Sequence, residues 1–391
     1  MSSSQWPALP ASRFGLSRLL AGLLVLVVLT PEARSADEVV IGQTLPLTGP
    51  TGSLGQAIRA GTAVCVNLIN AQGGIAGRQL RLAVLDDAGD SGRALQNARQ
   101  LVEHDHVALL MGPIGVSSTA AVQSYAAQVP IAVLGAQEGT PALRGSTYPT
   151  SFFIRANHSA EAERLAVHLS ALGISRIAVI AEASDLGHSV MTSFDEALAV
   201  RGTRLQSLAL VKHDGTDARS AVERVLLGTP PQAIVLATSG AASVRTIREL
   251  ARVAPDNPMH SSIYAFSFAV SQEDLLSLGH DAASVVMTQV MPSPFDDHLE
   301  LVKIYSEALR SAGQSQRSYP GMEACLAPLV LRRALKPMSG REVTAGTVVR
   351  ALRAAGLVTV GGLDIDLNGA TRDGAGFVDI VLVGADGHFT H

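Results

Sequence analysis

Residues 67–90 read NLINAQGGIAGRQLRLAVLDDAGD. An amphipathic run, GQAIRAGTAVCVNLINAQ (55–72), enters this stretch as a helix and breaks at Gly73, Gly74 and Gly77. LRLAVLDD (80–87) then leaves it as an apolar strand. A helix that stops at glycines and passes at once into a strand is the second half of a β-α-β unit. VVIGQTLPL (39–47) supplies the preceding strand, and SGRALQNARQLVEHD (91–105) supplies the next helix.

The alternation continues in both directions. VALLMGP (107–113) and IAVLGA (131–136) read as strands around the helix VSSTAAVQSYAAQV (116–129). Buried apolar strands separated by helices imply parallel pairing with both faces of the sheet covered. After the Gly, Pro, Ser and Thr of TPALRGSTYPTSFFIRANHS the pattern restarts. Helices over 158–172, 186–201, 217–227 and 241–253 alternate with strands RIAVIAE, TRLQSLAL, QAIVLATS and SSIYAFS, and SVVMTQV follows a short helix. Beyond MPSPFDD come three helices in DHLELVKIYSEALRSAG, SYPGMEACLAPLVLRRAL and VTAGTVVRALRAAG, then short strands near LDIDLN, GFVDIVLVG and HFTH. The expected fold class is α/β, with two doubly wound parallel-sheet lobes and chain crossings near 155, 291 and 360. One lobe takes 36–156 and 292–358, the other 157–291 and 359–391. The cleft between such lobes is the expected ligand site.

With 391 residues, 47% hydrophobic, the chain is long enough for more than one core. A net charge of −4 without long single-sign runs gives no electrostatic footprint for nucleic acid or an anionic membrane. At the N-terminus, Arg13 and Arg18 precede the apolar block Leu19 to Leu29, with Ala33 and Ser35 following. The block is shorter than the roughly 20 residues a span needs, so residues 1–35 read as a secretory signal cleaved before Ala36. Cys65 and Cys325 lie on apolar helical faces, and two buried thiols are the expectation, with a bridge as the alternative.

Motifs for chemistry are missing where they would be needed. LPLTGPTGSLGQAIRAG (45–61) ends a strand in a glycine-rich turn, but Gln56 and Ala57 follow Gly55 where a P-loop has Lys and a hydroxyl residue. The glycines also miss the dinucleotide spacing. No G-x-S-x-G elbow occurs, and the 11 histidines have no partner at fixed spacing. Asp86, Asp87 and Asp90 are expected to cap the helix that starts near Ser91 rather than bind a cation. No enzyme, cofactor or metal site is expected.

GQTLPLTGPTGSLG, the run NAQGGIAGR with LDDAGD behind it, VALLMGPIGVSSTAAV, PALRG and RIAVIAEASDLGHSVMTSFDEAL together resemble the branched-chain amino-acid, leucine-binding type of extracytoplasmic solute-binding protein. TQVMPSP, SYPGMEA and DLNGATRDG extend the resemblance over nearly the whole mature chain. It implies the type I periplasmic binding fold with a three-crossover hinge, a periplasmic location, a monomer, a small-molecule ligand, and the membrane permease of an ABC importer as partner. A ligand-sensing module for a regulatory partner is the alternative, and a secreted enzyme a remote third.

The resemblance also implies a pocket. Val116, Ser117 and Ser118 fall in the loop where relatives hold a ligand carboxylate, a role that a helix N-terminus suits physically; capping that helix is the alternative for the serines. Ala136 matches a ligand-facing backbone position. Gln137 and Glu138 replace a hydroxyl residue, and Glu138 either takes an ammonium or points to solvent. Leu54 and Leu186 stand where relatives place aromatic rings. Phe266 falls where relatives often have an acid, and Tyr319 and Glu323 are expected to reach the cleft from the side. The expected ligand is small and amino-acid-like or, with the ammonium partner in doubt, a non-amino carboxylate or an amide.

Overall fold

A computed structural model describes residues 38–253, 261–338, 342–368 and 374–390, all within one compact unit spanning 37–391. The expected signal segment lies outside the described residues. Among those residues no helix is long and apolar enough to cross a membrane.

The first half alternates β1 (Glu38–Leu45), α1 (Gly52–Ala71), β2 (Gln79–Asp86), α2 (Ser91–Glu103), β3 (Leu109–Met111), α3 (Val116–Ala126), β4 (Ala132–Leu134) and β5 (Ser151–Phe152). It makes a five-stranded parallel sheet of order β2-β1-β3-β4-β5. The chain then forms α4 (His158–Ala171), β6 (Ile177–Glu182), α5 (Asp185–Ala199), β7 (Leu205–Val211), α6 (Ala218–Leu226), β8 (Ala233–Ala237), α7 (Gly240–Val253), β9 (Ser262–Ala265), α8 (Gln272–Leu278) and β10 (Val286–Gln289). These strands make the parallel part of a seven-stranded sheet, β14-β13-β10-β9-β8-β6-β7. Helices α9 (Glu300–Ser311), α10 (Tyr319–Leu335) and α11 (Ala345–Ala355) return to the first lobe. The hairpin β11 (Leu357–Val360) and β12 (Leu363–Asp366) follows, and β13 (Asp379–Val383) and β14 (Phe389–Thr390) add antiparallel strands to the second sheet.

Two features differ from what the sequence predicts. The sequence puts the third crossing near 360, with everything after 358 in the second lobe. Val358, Val360, Leu363, Ile365 and Leu367 are instead buried in the first core, with Ala375, so the chain changes lobe only between Ala375 and Asp379. Alternating apolar residues do not say which of two cores they enter. Second, Cys65 and Cys325 form a disulfide, with Cα atoms 5.2 Å apart, correcting the expectation of two thiols. The cause is the close crossing of α1 and α10. A Cβ on Gly61 would lie 2.1 Å from the Gly321 carbonyl oxygen, so the glycine at 61 lets the backbones meet and brings the cysteines together one turn on. The bridge staples together two first-lobe helices, one before the second lobe in the chain and one after it.

The glycine-rich turn between β1 and α1 owes its shape to Asp86. Its carboxylate accepts from the Leu47 N–H (2.8 Å), the Thr48 N–H (3.3 Å), the Thr48 hydroxyl (2.6 Å) and the Ala88 N–H (2.9 Å). These bonds, led by the Thr48 hydroxyl, lower its pKa to about 2. The turn's donors are therefore spent on the protein's own anion. Asp87 accepts from Thr44 and Gly89, and Asp90 alone caps α2, through the Arg93 N–H at 2.7 Å.

Candidate functional site

The carboxyl ends of β1, β3 and β4 meet the start of α10. Gly115, at φ 81°, swings the chain from β3 into α3, whose N-terminus has no side-chain cap. The N–H groups of the first turn point outward at the positive end of the helix, a ready anion site. Ser117 is exposed there and Ser118 is buried. Val116 is half-buried against a small cluster of Ala136, Leu143 and Phe153. Gln137 fixes the loops together: its N–H donates to the Pro113 carbonyl at 3.0 Å, and its side-chain amide donates to the Pro320 carbonyl at 3.2 Å. Leu54 packs half-buried with Leu45, Ile58, Ile114 and Ala324. Seven expected positions, Leu54, Val116, Ser117, Ser118, Ala136, Gln137 and Glu323, thus fall on loops and helix ends of this one lobe.

Others go elsewhere. Glu138 does not face solvent: it is buried, and its Oε1 accepts from the Thr140 N–H (2.9 Å) and hydroxyl (2.8 Å). Phe266 is fully buried in the second lobe, edge-on to Phe194 and stacked on Phe268, so it is a core residue rather than a pocket wall. Leu186, in the first turn of α5, is half-buried against the same core. Tyr319 is buried edge-on to Phe389, and that burial pushes its hydroxyl up to about 12. Phe389 touches both the first-lobe core and one of the second-lobe cores.

At the first crossover lies a buried charge cluster that the sequence motifs do not reveal. Arg155 donates from Nη2 to the Ser267 hydroxyl at 3.0 Å. Its guanidinium lies 3.6 Å from Glu323 of α10 and 3.9 Å from Glu161 of α4. Glu161 accepts from the Ser267 N–H (3.0 Å) and the Thr288 hydroxyl (2.5 Å). Burial pushes the Glu323 carboxyl up, against the pull of Arg155. Arg144 donates to the carbonyls of Glu138, Arg155 and Ala156 and stacks over the Phe153 ring at 4.1 Å. Next to it His158 is held neutral, first by burial and then by the two arginines. A Cβ on Gly139 would meet the His158 ring at 2.2 Å, so the loop after β4 lies directly on the start of α4. A lone arginine in the apolar run FFIRA is the one signal in the sequence, since an arginine there is buried only when paired.

In the second lobe, Glu182 ends β6 as its only charged residue and is 3% exposed. Its Oε2 accepts from the Ser239 N–H (3.2 Å) and hydroxyl (2.9 Å), and Oε1 lies 2.9 Å from His213 Nδ1. Among the described residues no group of three or more His, Cys, Asp or Glu side chains is placed to hold a metal ion.

Comparison with known proteins agrees with this architecture. The family model described as periplasmic binding protein matches residues 38–387. The leucine-, isoleucine-, valine-, threonine- and alanine-binding protein of Pseudomonas aeruginosa is 35% identical over 104 residues, 27% of either chain. The matches to this and two further curated relatives span only 26–30% of their length. Among solved structures, an extracellular ligand-binding receptor from Verminephrobacter eiseniae superposes with a TM-score of 0.81 at 23% identity, covering 90% of this chain and 100% of that one. A possible leucine/isoleucine/valine-binding protein from Rhodopirellula baltica gives 0.80 at 24% identity, over 90% and 95%. With two doubly wound lobes, three crossings and a model match over almost the whole described chain, the protein belongs to the periplasmic binding protein family.

Proposed function

We propose that the protein is the solute-capturing component of an ABC-type uptake system, held in the periplasm after signal cleavage. In this reading it takes a small amino-acid-like or carboxylate ligand between its lobes and hands it to a membrane permease. The observation that carries the reading is the uncapped N-terminus of α3, set at the carboxyl end of β3 with Ser117 exposed beside it. That arrangement leaves oriented donors for a ligand carboxylate. The Pseudomonas relative, by name a binder of leucine, isoleucine, valine, threonine and alanine, supports an amino-acid-like ligand.

Capture works by hinge closure: the ligand binds one lobe, and the closed form gains population only to the extent that it binds the ligand better than the open form does. A dissociation constant of about 1 μM, about −8 kcal/mol, suffices for uptake and already includes the cost of closure. None of this calls for a catalytic group.

The test is calorimetry on the double variant Ser117→Ala with Ser118→Ala, using ligands found by a thermal-shift screen of amino acids, short-chain acids and amides. Binding raises apparent stability with ligand concentration, so the screen works across all three classes without a ligand being chosen beforehand. The double variant is expected to weaken binding about tenfold, the loss of one or two hydrogen bonds to a charged group. Unchanged affinity would remove the α3 loop from the site.

A further inference from the structure

The first lobe has a second concave surface, away from the α3 loops. It is an open cavity of about 1020 Å³ between the last turn of α10, one side of α11 and strand β11. Helix α10 starts against the α3 loops, where Gln137 bonds the Pro320 carbonyl. Arg333, on the cavity, lies in its last turn, about 20 Å further along the helix.

Small residues make the space. In VVRALRAAG (348–356), Ala351, Ala354 and Ala355 share one face of α11 at spacings of three and four, where longer side chains would fill the gap towards α10. Leu357, the first residue of β11, lines the same cavity and is 64% exposed. The charged lining is one-sided. Arg333, Lys336 and Arg350 stand against one acid, Glu342, among the described residues, although the chain as a whole has a net charge of −4.

We propose that this cavity is a second ligand site, which takes an anion with an apolar body, an aromatic or medium-chain carboxylate. The carboxylate pairs with Arg333 and Arg350, and the body lies on the alanines and Leu357. The proposal does not depend on the solute-capture reading.

Three observations carry it. First, the cavity has the volume of a small-molecule site, for which about 300–1,000 Å³ is usual. Second, neither the Arg333 nor the Arg350 guanidinium has a hydrogen bond or ion pair among the described residues. The dipole of α10 accounts for a cation at Arg333, in the last turn. Nothing local accounts for Arg350: its neighbours on α11 are Gly346, Thr347, Arg353 and Ala354, with no acid among them. A guanidinium with its donors unused matches a carboxylate in a planar, two-bond pair. Third, the exposed leucine and the alanine face are apolar surface that a ligand's body would remove from water. A hydrophilic anion uses only the arginines and a neutral apolar molecule only the floor, so a molecule with both parts fits best.

The probes are octanoate and octanamide, which share an apolar chain and differ in charge. Each is titrated calorimetrically into wild type, Arg333→Ala with Arg350→Ala, Ala354→Trp, and Ser117→Ala with Ser118→Ala. Wild type is expected to bind octanoate with a Kd below about 1 mM and to prefer it to octanamide at least about tenfold, the scale of a hydrogen bond to a charged group. The double arginine variant is expected to weaken octanoate to the level of octanamide, and Ala354→Trp, which fills the floor, to weaken both several-fold. The double serine variant is expected to bind octanoate as wild type does, which separates this cavity from the α3 loops. Arg333 and Arg350 are exposed, so their removal spares the fold, and that variant decides alone if Ala354→Trp does not fold. No octanoate binding by wild type overturns the proposal, as does binding that survives unchanged without the two arginines. Octanoate binding lost with the serines and kept without the arginines overturns it too, and places the acid in the solute site.

Discussion

Arg155 donates to the Ser267 hydroxyl at 3.0 Å, and this one bond ties the first crossover to the loop that follows β9 in the second sheet. The same guanidinium faces Glu323 of the first lobe and Glu161 of the second. Three charges share a site from which water is excluded, so each depends on the others for its compensation.

Removing the arginine therefore leaves Glu161 without its ion-pair partner and Glu323 with only the weaker pull of Arg144. Arg155→Met is expected to destabilise the protein by about 3–5 kcal/mol, the usual cost of breaking a buried pair from one side. Urea unfolding monitored by circular dichroism measures it, and a loss under about 1 kcal/mol, the scale of an exposed pair, would show that solvent already screens the cluster.

The Cys65–Cys325 bridge closes a sequence separation of 260 residues. Reduction, or the double substitution Cys65→Ser with Cys325→Ser, is expected to cost about 2–4 kcal/mol, since the cross-link restricts the unfolded chain more than the folded one. Scanning calorimetry with and without reductant checks this; coincident transitions would mean the bridge is absent in solution.

Gly55 lets α1 rest on its own entry turn. A Cβ there would lie 2.1 Å from the Pro46 carbonyl oxygen, and backbone on both sides leaves no flexible atom to move away. Gly55→Ala is expected to cost about 1–3 kcal/mol by overpacking. Gly73→Ala is the comparison that keeps this specific: a Cβ at Gly73 meets nothing within 4 Å, so its cost comes from the positive φ alone.

Asp86 predicts a direction with pH. Its folded pKa is lowered to about 2, so its contribution is fully present above the ordinary carboxylate value of about 3.9 and is lost as pH falls through the folded value. The stability gap between wild type and Asp86→Asn is expected to narrow between about pH 4 and pH 2. A gap that stays constant over that range would show that the hydrogen bonds to Leu47 and Thr48 do not depend on the charge.

What the sequence determined by itself was the alternation. NLINAQGGIAGRQLRLAVLDDAGD set a helix end, a glycine turn and a strand in order, and the same period repeated through β10, because apolar spacing and glycine stops are local properties. It also located the start of α3, whose N-terminus carries no side-chain cap. Tertiary structure decided everything that depends on distance between remote segments. The disulfide needed the Gly61–Gly321 crossing, and the β11–β12 hairpin needed a choice between two cores that accept the same pattern. Phe266 could be assigned to core rather than pocket only once Phe194 and Phe268 stood beside it. Glu182 gained its partners only when the sheet order set β8 next to β6 and so brought Ser239 to its carboxylate. Charge pairing across a sheet edge or a hinge has no period along the chain, so no one-dimensional pattern can announce it.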